Sequence, residues 1–378
     1  MVQDPLSTDK KQTNRNRIYQ LVYQEGTVSK PEIASRLGIS LPTAIMNVKN
    51  LQDEGFLKEG EVTDASAGRK AGRKAVSILY EKNARFAIGT DITRSHVSVV
   101  LINLAAEIIE GARVEMPFEN SQYYYQEVVD IIRRLVKVAG VDPGIILGAG
   151  FSVPGVLSRD GQMIIYSHVL QVSGLLCSAF SRGLGYPAVL CNDANAAGFA
   201  ELWKHKYRTD AVYLSLSDSV GGAILLNNDL YLGENQRAGE FGHMTLIRDG
   251  LPCYCGRNGC MDSYCSAQVL SRHTGGSLEL FFRKLKDGDK DITVVWGQYL
   301  SYLAMALNNL LVSFDCTLIL GGFLGEYLEP YIKDIQDSVS KLTTFSGIED
   351  YITACSYKKE AAAVGVALLY VRPFIRQI

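Results

Sequence analysis

Three cysteines and one histidine crowd the stretch GEFGHMTLIRDGLPCYCGRNGC, Gly239 to Cys260. His243, Cys253, Cys255 and Cys260 can turn three soft thiolates and one imidazole onto a single ion. That is the ligand set of a structural zinc site, which closes when four tetrahedral N/S ligands come from protein. Gly256 and Gly259 allow so short a loop to fold back on itself. The order departs from the common CxxC…HxxxH finger. Reduced cysteines packed in a loop are the alternative, but a stretch this rich in glycine and polar groups does not make a hydrophobic core. Cys265 falls outside the pattern and is expected to be a buried thiol.

The segment resembles the zinc signature of the ROK family (repressors, open reading frames and sugar kinases), in which GExGH precedes CxCGxxGCxE. Asp262 stands where the family has its final Glu. The resemblance implies that His243 orients both the metal and a neighbouring sugar, that Glu240 hydrogen-bonds sugar hydroxyls, and that Asp262 is a sugar-side carboxylate shortened by one methylene. A second stretch, VLCNDANAAGFAELW at residues 189–203, resembles the family's sugar motif ENDANAAAxAE. Asn192 and Asp193 leave a strand and enter a helix, the place where ligands of open α/β sheets bind. In family kinases the residue matching Asp193 is the general base toward the sugar hydroxyl. Binding a hydroxyl requires the same residue, and Asp is also a good N-cap.

The segments that resemble phosphate loops are altered. FAIGTDITRSHVSVVLIN, from Phe86, is similar to the hairpin whose turn reads DxGGT in family kinases, with glycine because backbone amides must approach phosphate closely. Asp91, Ile92, Thr93, Arg94 and Ser95 stand there, without either glycine. In AVYLSLSDSVGGAILLN, residues 211–227, the GTG of kinases is Ser217, Asp218 and Ser219. Asp218 puts negative charge where phosphate oxygens would lie, a repulsion of about 1 to 4 kcal/mol near contact in a wet site. Gly321, Gly322 and Phe323 resemble the family's adenosine-side LGGG turn, with Phe in the third glycine's place. No catalytic residue is therefore expected; Asp193 would be the base of a sugar kinase of the ROK hexokinase type, the alternative reading.

The elements that must carry these groups begin with helices. NRNRIYQLVYQE, from Asn14, has helical apolar spacing. Ser29 caps a second helix with Pro31 in its first turn, Gly38 ends it, and Ser40 caps a third. The third helix is expected to turn Leu41, Ile45, Val48 and Leu51 inward and Thr43, Ala44, Met46, Asn47 and Asn50 outward. Helix, tight turn, capped helix is a helix-turn-helix, and Thr43 and Asn47 are candidates for contacts to base edges. Phe56, Leu57 and Val62 begin a wing. Beyond it Arg69, Lys70, Arg73 and Lys74, interleaved with glycines, form a basic arm suited to a narrow minor groove.

Composition frames these sites. With 378 residues, 47% hydrophobic and 21% charged, the chain has the make-up of a globular protein of two or three domains. No apolar run approaches a membrane span, and the N-terminus lacks a signal-peptide core, so a cytoplasmic location and reduced cysteines are expected. The net charge is −2. Residues 1–80 carry twelve Lys and Arg against nine Asp and Glu, which makes that segment the place for an anionic polymer.

The expected fold is α/β: a winged helix-turn-helix over 1–82, then a two-lobed actin-like ATPase fold of the sugar-kinase type. Its first lobe is expected over 83–200 plus the helix 358–378, and its second, with the zinc loop, over 201–357. The resemblance implies a sugar-responsive transcriptional regulator of the xylose or N-acetylglucosamine repressor type, acting on carbohydrate uptake or breakdown. The expected partners are a double-stranded DNA operator, a sugar or sugar-phosphate effector, structural zinc and further copies of the chain in a homodimer or homotetramer.

Overall fold

A computed structural model describes residues 10–62, 76–204, 210–345, 347 and 351–378. The basic tract Arg69, Lys70, Arg73 and Lys74 lies outside them. The chain opens with α1 (Lys10–Glu25), β1 (Val28–Ser29), α2 (Lys30–Leu37), α3 (Leu41–Asp53), β2 (Leu57–Val62) and β3 (Val76–Tyr80). Ser29 and Glu32 form a reciprocal capping box at the start of α2, and Gly38 ends that helix with φ +64°. Ser40 Oγ then accepts from Thr43 N to start α3. These two caps fix the short turn between the helices. The strands pair in the order β1-β3-β2, giving a winged helix-turn-helix.

Helix α3 buries a different face from the one its apolar spacing predicts. Ala44, Asn47, Val48 and Leu51 are buried, whereas Leu41, Ile45 and Met46 are 43 to 45% exposed. Both stripes obey helical spacing, so apolarity alone does not choose between them. Small Ala44 lies in the buried stripe, where helices must approach closely. Asn47 survives burial because its side-chain amide donates to Thr43 O at 2.8 Å.

The first lobe contains β4 (Phe86–Ile92), β5 (His96–Asn103), β6 (Ile108–Glu115), α4 (Gln122–Ala139), β7 (Ile146–Val153), the small strands β8 (Val156–Leu157), β9 (Met163–Ser167) and β10 (Val172–Leu176), α5 (Cys177–Ser181), β11 (Ala188–Asn192) and α6 (Asp193–Lys204). Its main sheet runs β11-β7-β4-β5-β6. Strands β4 and β7, and β7 and β11, are parallel; β4–β5–β6 is an antiparallel meander. The second lobe contains β12 (Ala211–Leu216), β13 (Val220–Leu226), β14 (Asp229–Leu230), α7 (Asp262–Cys265), α8 (Ala267–Ser271), α9 (Leu278–Lys286), α10 (Lys290–Phe314), β15 (Thr317–Gly321), α11 (Ile332–Ser340) and β16 (Ile352–Ala354). Its sheet, β14-β13-β12-β15-β16, has the same plan of hairpin strands on one side and parallel strands on the other.

Two helices tie the parts together. The helix α12 (Ala361–Gln377) lies against β4, β7 and α6. Contact is so close that a Cβ added at Gly89 would strike Ala363 O, and one added at Gly365 would strike Ala196 O. The far end of α12 enters the core of the N-terminal module. Phe374 stands 5.7 Å from Phe56, ring to ring, and Arg85 lies over both rings. Ile18, Tyr19, Val22, Val371, Ile375 and Ile378 belong to one continuous apolar cluster that also includes Leu104 and Phe199. The N-terminal module thus shares its core with the first lobe.

Candidate functional site

A cleft of about 530 Å³ lies between the lobes, lined from one side by Pro154, Gly155, Asn192, Asp193 and Asn195 and from the other by Gly239, Glu240, His243 and Tyr254. The sequence explains its floor. β11 ends at Asn192 and α6 starts at Asp193, so consecutive residues meet the cleft as the strand becomes a helix. Asn192 does not simply point at a ligand: its amide donates to Gly155 O at 3.2 Å and its Oδ1 accepts from Asn195 N at 3.1 Å. It therefore holds the Pro154–Gly155 turn against the first turn of α6. Asn195 leaves its own buried Oδ1 without a partner among the described residues, an acceptor that the sequence reading passed over within the NDAN motif.

Burial pushes the Asp193 carboxyl up to about 6; the helix amide of Ala194 opposes this and Glu240 reinforces it. Asp91, which accepts from Ser152 Oγ at 2.8 Å, is pushed up to about 7, mainly by burial, with the neighbouring Asp193 adding to the shift. Asp193, Glu240 and His243 all line the cleft. Asp262 does not. Its side chain is buried, and Oδ1 accepts from Val220 N at 2.6 Å. That oxygen of the shorter carboxylate holds the first backbone amide of β13.

The cysteine loop brings its four residues together. Ligand atoms of His243, Cys253, Cys255 and Cys260 all lie within 4.8 Å of one another. Cys255 Sγ and Cys260 Sγ are 3.7 Å apart, close to the ~3.8 Å that two thiolates span on tetrahedral zinc with Zn–S of about 2.3 Å. His243 Nδ1 faces Cys253 Sγ at 4.0 Å, which leaves Nε2 toward the cleft, 3.4 Å from Tyr254 Oη. Burial, then hydrogen bonding of its thiol to the neighbouring sulfurs, pushes the Cys260 thiol up to about 12. A divalent cation supplies the charge that such clustered thiols need to ionise together. Cys265 is fully buried, as expected.

One cross-cleft contact was not foreseen. His168, just after β9 in the first lobe, stacks on Tyr254 of the cysteine loop with ring centroids 4.6 Å apart and planes 17° from parallel. Tyr166 Oη meets His168 Nδ1 at 2.8 Å. The only signal in the sequence was an aromatic residue between two of the clustered cysteines.

On the other side of Asp193 lies a second cleft of about 580 Å³, lined by Asp91, Arg94, Ser217, Asp218 and Phe323 among others. Several backbone amides in and beside it are occupied. Thr93 Oγ1 accepts from Ser95 N and His96 N at 3.3 and 3.0 Å. Asp262 takes Val220 N, Ser217 Oγ takes Phe323 N, and Tyr213 Oη takes Gly322 N. Three turns that resemble phosphate loops have each turned at least one backbone donor toward the protein's own side chains.

A winged helix-turn-helix joined to a two-lobed fold with a polar interlobe cleft defines a ligand-sensing DNA-binding class. The winged helix-turn-helix family matches residues 12–58 and the ROK family matches residues 87–372. The chain belongs to the ROK family. It is similar to the xylose repressor of Bacillus spizizenii, 24% identical over 379 residues covering 97% of this chain and 96% of that one. It is also similar to the xylose repressor of Caldicellulosiruptor bescii, 28% identical over 291 residues covering 76% and 70%. Its fold matches the crystal structure of a ROK family transcriptional regulator, a homologue of the E. coli MLC protein, with a TM-score of 0.77 at 20% identity over 97% of each chain. Among the described residues no helix is long and apolar enough to cross a membrane.

Proposed function

We propose that this protein is a sugar-responsive repressor that binds double-stranded operator DNA and releases it when a monosaccharide enters the interlobe cleft. The observation that carries the reading is the course of α6. It starts at Asp193 in the cleft and ends at Phe199 and Trp203 against the DNA-binding module. Asp193, Glu240 and His243 can accept from or donate to several hydroxyls in fixed directions, and the unpartnered Oδ1 of Asn195 adds an acceptor. Zinc held by His243, Cys253, Cys255 and Cys260 would fix the loop that carries His243, leaving its Nε2 for the cleft. The xylose repressors among its relatives make D-xylose the first sugar to test.

Release requires only that sugar and operator favour different lobe arrangements. A hundredfold drop in operator affinity corresponds to about 2.7 kcal/mol of coupling, within the usual allosteric range. Paired recognition helices reading a pseudo-symmetric operator call for a homodimer, and a cytoplasmic location accords with the task. Sugar kinase activity is disfavoured because several amides of the loops that resemble phosphate loops are bonded internally and Asp218 adds charge to their cleft.

The test is a pull-down of sheared genomic DNA on full-length, zinc-loaded protein at near-physiological salt, followed by elution with D-xylose and then other monosaccharides. A few enriched sites released by one sugar support the reading. Recovery no better than for protein lacking residues 1–80 would sink it, and a hexose-dependent ATPase assay would decide for the kinase.

A further inference from the structure

We infer that α3 reads its operator through thymine methyl groups, so that specificity rests on aliphatic contact more than on hydrogen bonds. The inference deepens the DNA-binding reading and depends on it. The two polar residues best suited to base edges on sequence grounds are already engaged. Asn47 is 4% exposed and donates to Thr43 O. Thr43 Oγ1 lies 2.7 Å from Ser40 Oγ at the cap. Leu41 and Ile45 instead stand outward one turn apart, exposed Lys49 continues their line, and exposed Met46 flanks it about 100° further round the helix from Ile45.

In a winged helix-turn-helix this helix lies in the major groove. The one apolar group that unmodified DNA presents there is the C5-methyl of thymine. Aliphatic side chains gain nothing from the acceptors and donors of a G·C edge and would leave them dehydrated, so the same stripe selects against G·C pairs as it selects for thymine. Lys49 fits the phosphate backbone and adds affinity without sequence information. The occupant is therefore duplex DNA with thymines opposite Leu41, Ile45 and Met46.

The test starts with duplexes selected by the full-length protein from a random pool. The selected duplex is then resynthesised with deoxyuridine for thymidine at single positions, which deletes the methyl and leaves every hydrogen-bonding group. Each contacted methyl should be worth roughly three- to fivefold in affinity, the value of burying one methyl-sized apolar group. Ile45→Ala and Met46→Ala should each weaken the thymidine duplex and erase the difference at one position, while Lys49→Ala should weaken both duplexes equally. Equal affinity for the thymidine and deoxyuridine duplexes, with scrambled DNA still rejected, overturns this inference alone. A pool with no enriched duplex overturns the DNA-binding reading and this inference with it.

Discussion

Tyr23 of the DNA-binding module and Trp203 at the end of α6 stand with ring centroids 6.3 Å apart. Tyr23 also donates from its hydroxyl to Leu104 O at 2.9 Å and packs on Tyr80 of the wing at 4.8 Å. One tyrosine therefore touches the helix leading from the cleft, the first lobe and the wing. The end of α6 and the wing are thus joined through side chains in direct contact.

Trp203→Ala should leave sugar affinity within about twofold but reduce sugar-driven operator release at least tenfold, because the contact lies far from the cleft and carries the proposed coupling. Calorimetric sugar binding beside operator fluorescence anisotropy measures both. Loss of the two responses together would assign Trp203 a merely structural role.

Stability should fall as pH rises through the range set by Asp91 and Asp193. Their folded-state carboxyls are pushed up to about 7 and about 6, above the unfolded value near 4. The folded protein thus binds more protons than the unfolded chain between pH 4 and 7, and ionisation on the way up disfavours the fold. Thermal melts at pH 5 and pH 8 should show a smaller pH dependence in Asp91→Asn and Asp193→Asn than in the parent. An unchanged slope would place the effect elsewhere.

Purified protein should carry one zinc per chain by elemental analysis. Cys260→Ser should abolish this, lower the melting temperature and weaken sugar binding, since the same loop positions His243. Full sugar affinity in the metal-free protein would separate the cysteine loop from the cleft.

Gly365→Ala should cost about 1 to 3 kcal/mol of stability in a urea melt. The new methyl meets Ala196 O, a backbone atom of α6 that cannot move without carrying the helix with it. A melt indistinguishable from the parent would show that α6 and α12 slide freely.

The sequence told most where a residue type has one use. Cysteine and histidine at these spacings announced the cluster that His243, Cys253, Cys255 and Cys260 form, and the Gly38 turn between two capped helices announced the helix-turn-helix. It told least where two arrangements share one pattern. The buried and exposed stripes of α3 both repeat at helical spacing, and only packing against α1 and α2 selects the one with Ala44 and Asn47. Asp262 was expected on the sugar side because the family it resembles has Glu there; its Oδ1 accepts from Val220 N at the start of β13, 42 residues earlier. The His168–Tyr254 stack joins two lobes, a contact that local sequence does not encode.

The shared core around Phe56 and Phe374 sets an order of assembly. A ribosome makes α1, α2 and α3 first and reaches α12 only after both lobes. Until then Phe56 and its neighbours lack the surface that buries them. A chain that ends before α12 therefore lacks part of the apolar surface on which the N-terminal module closes.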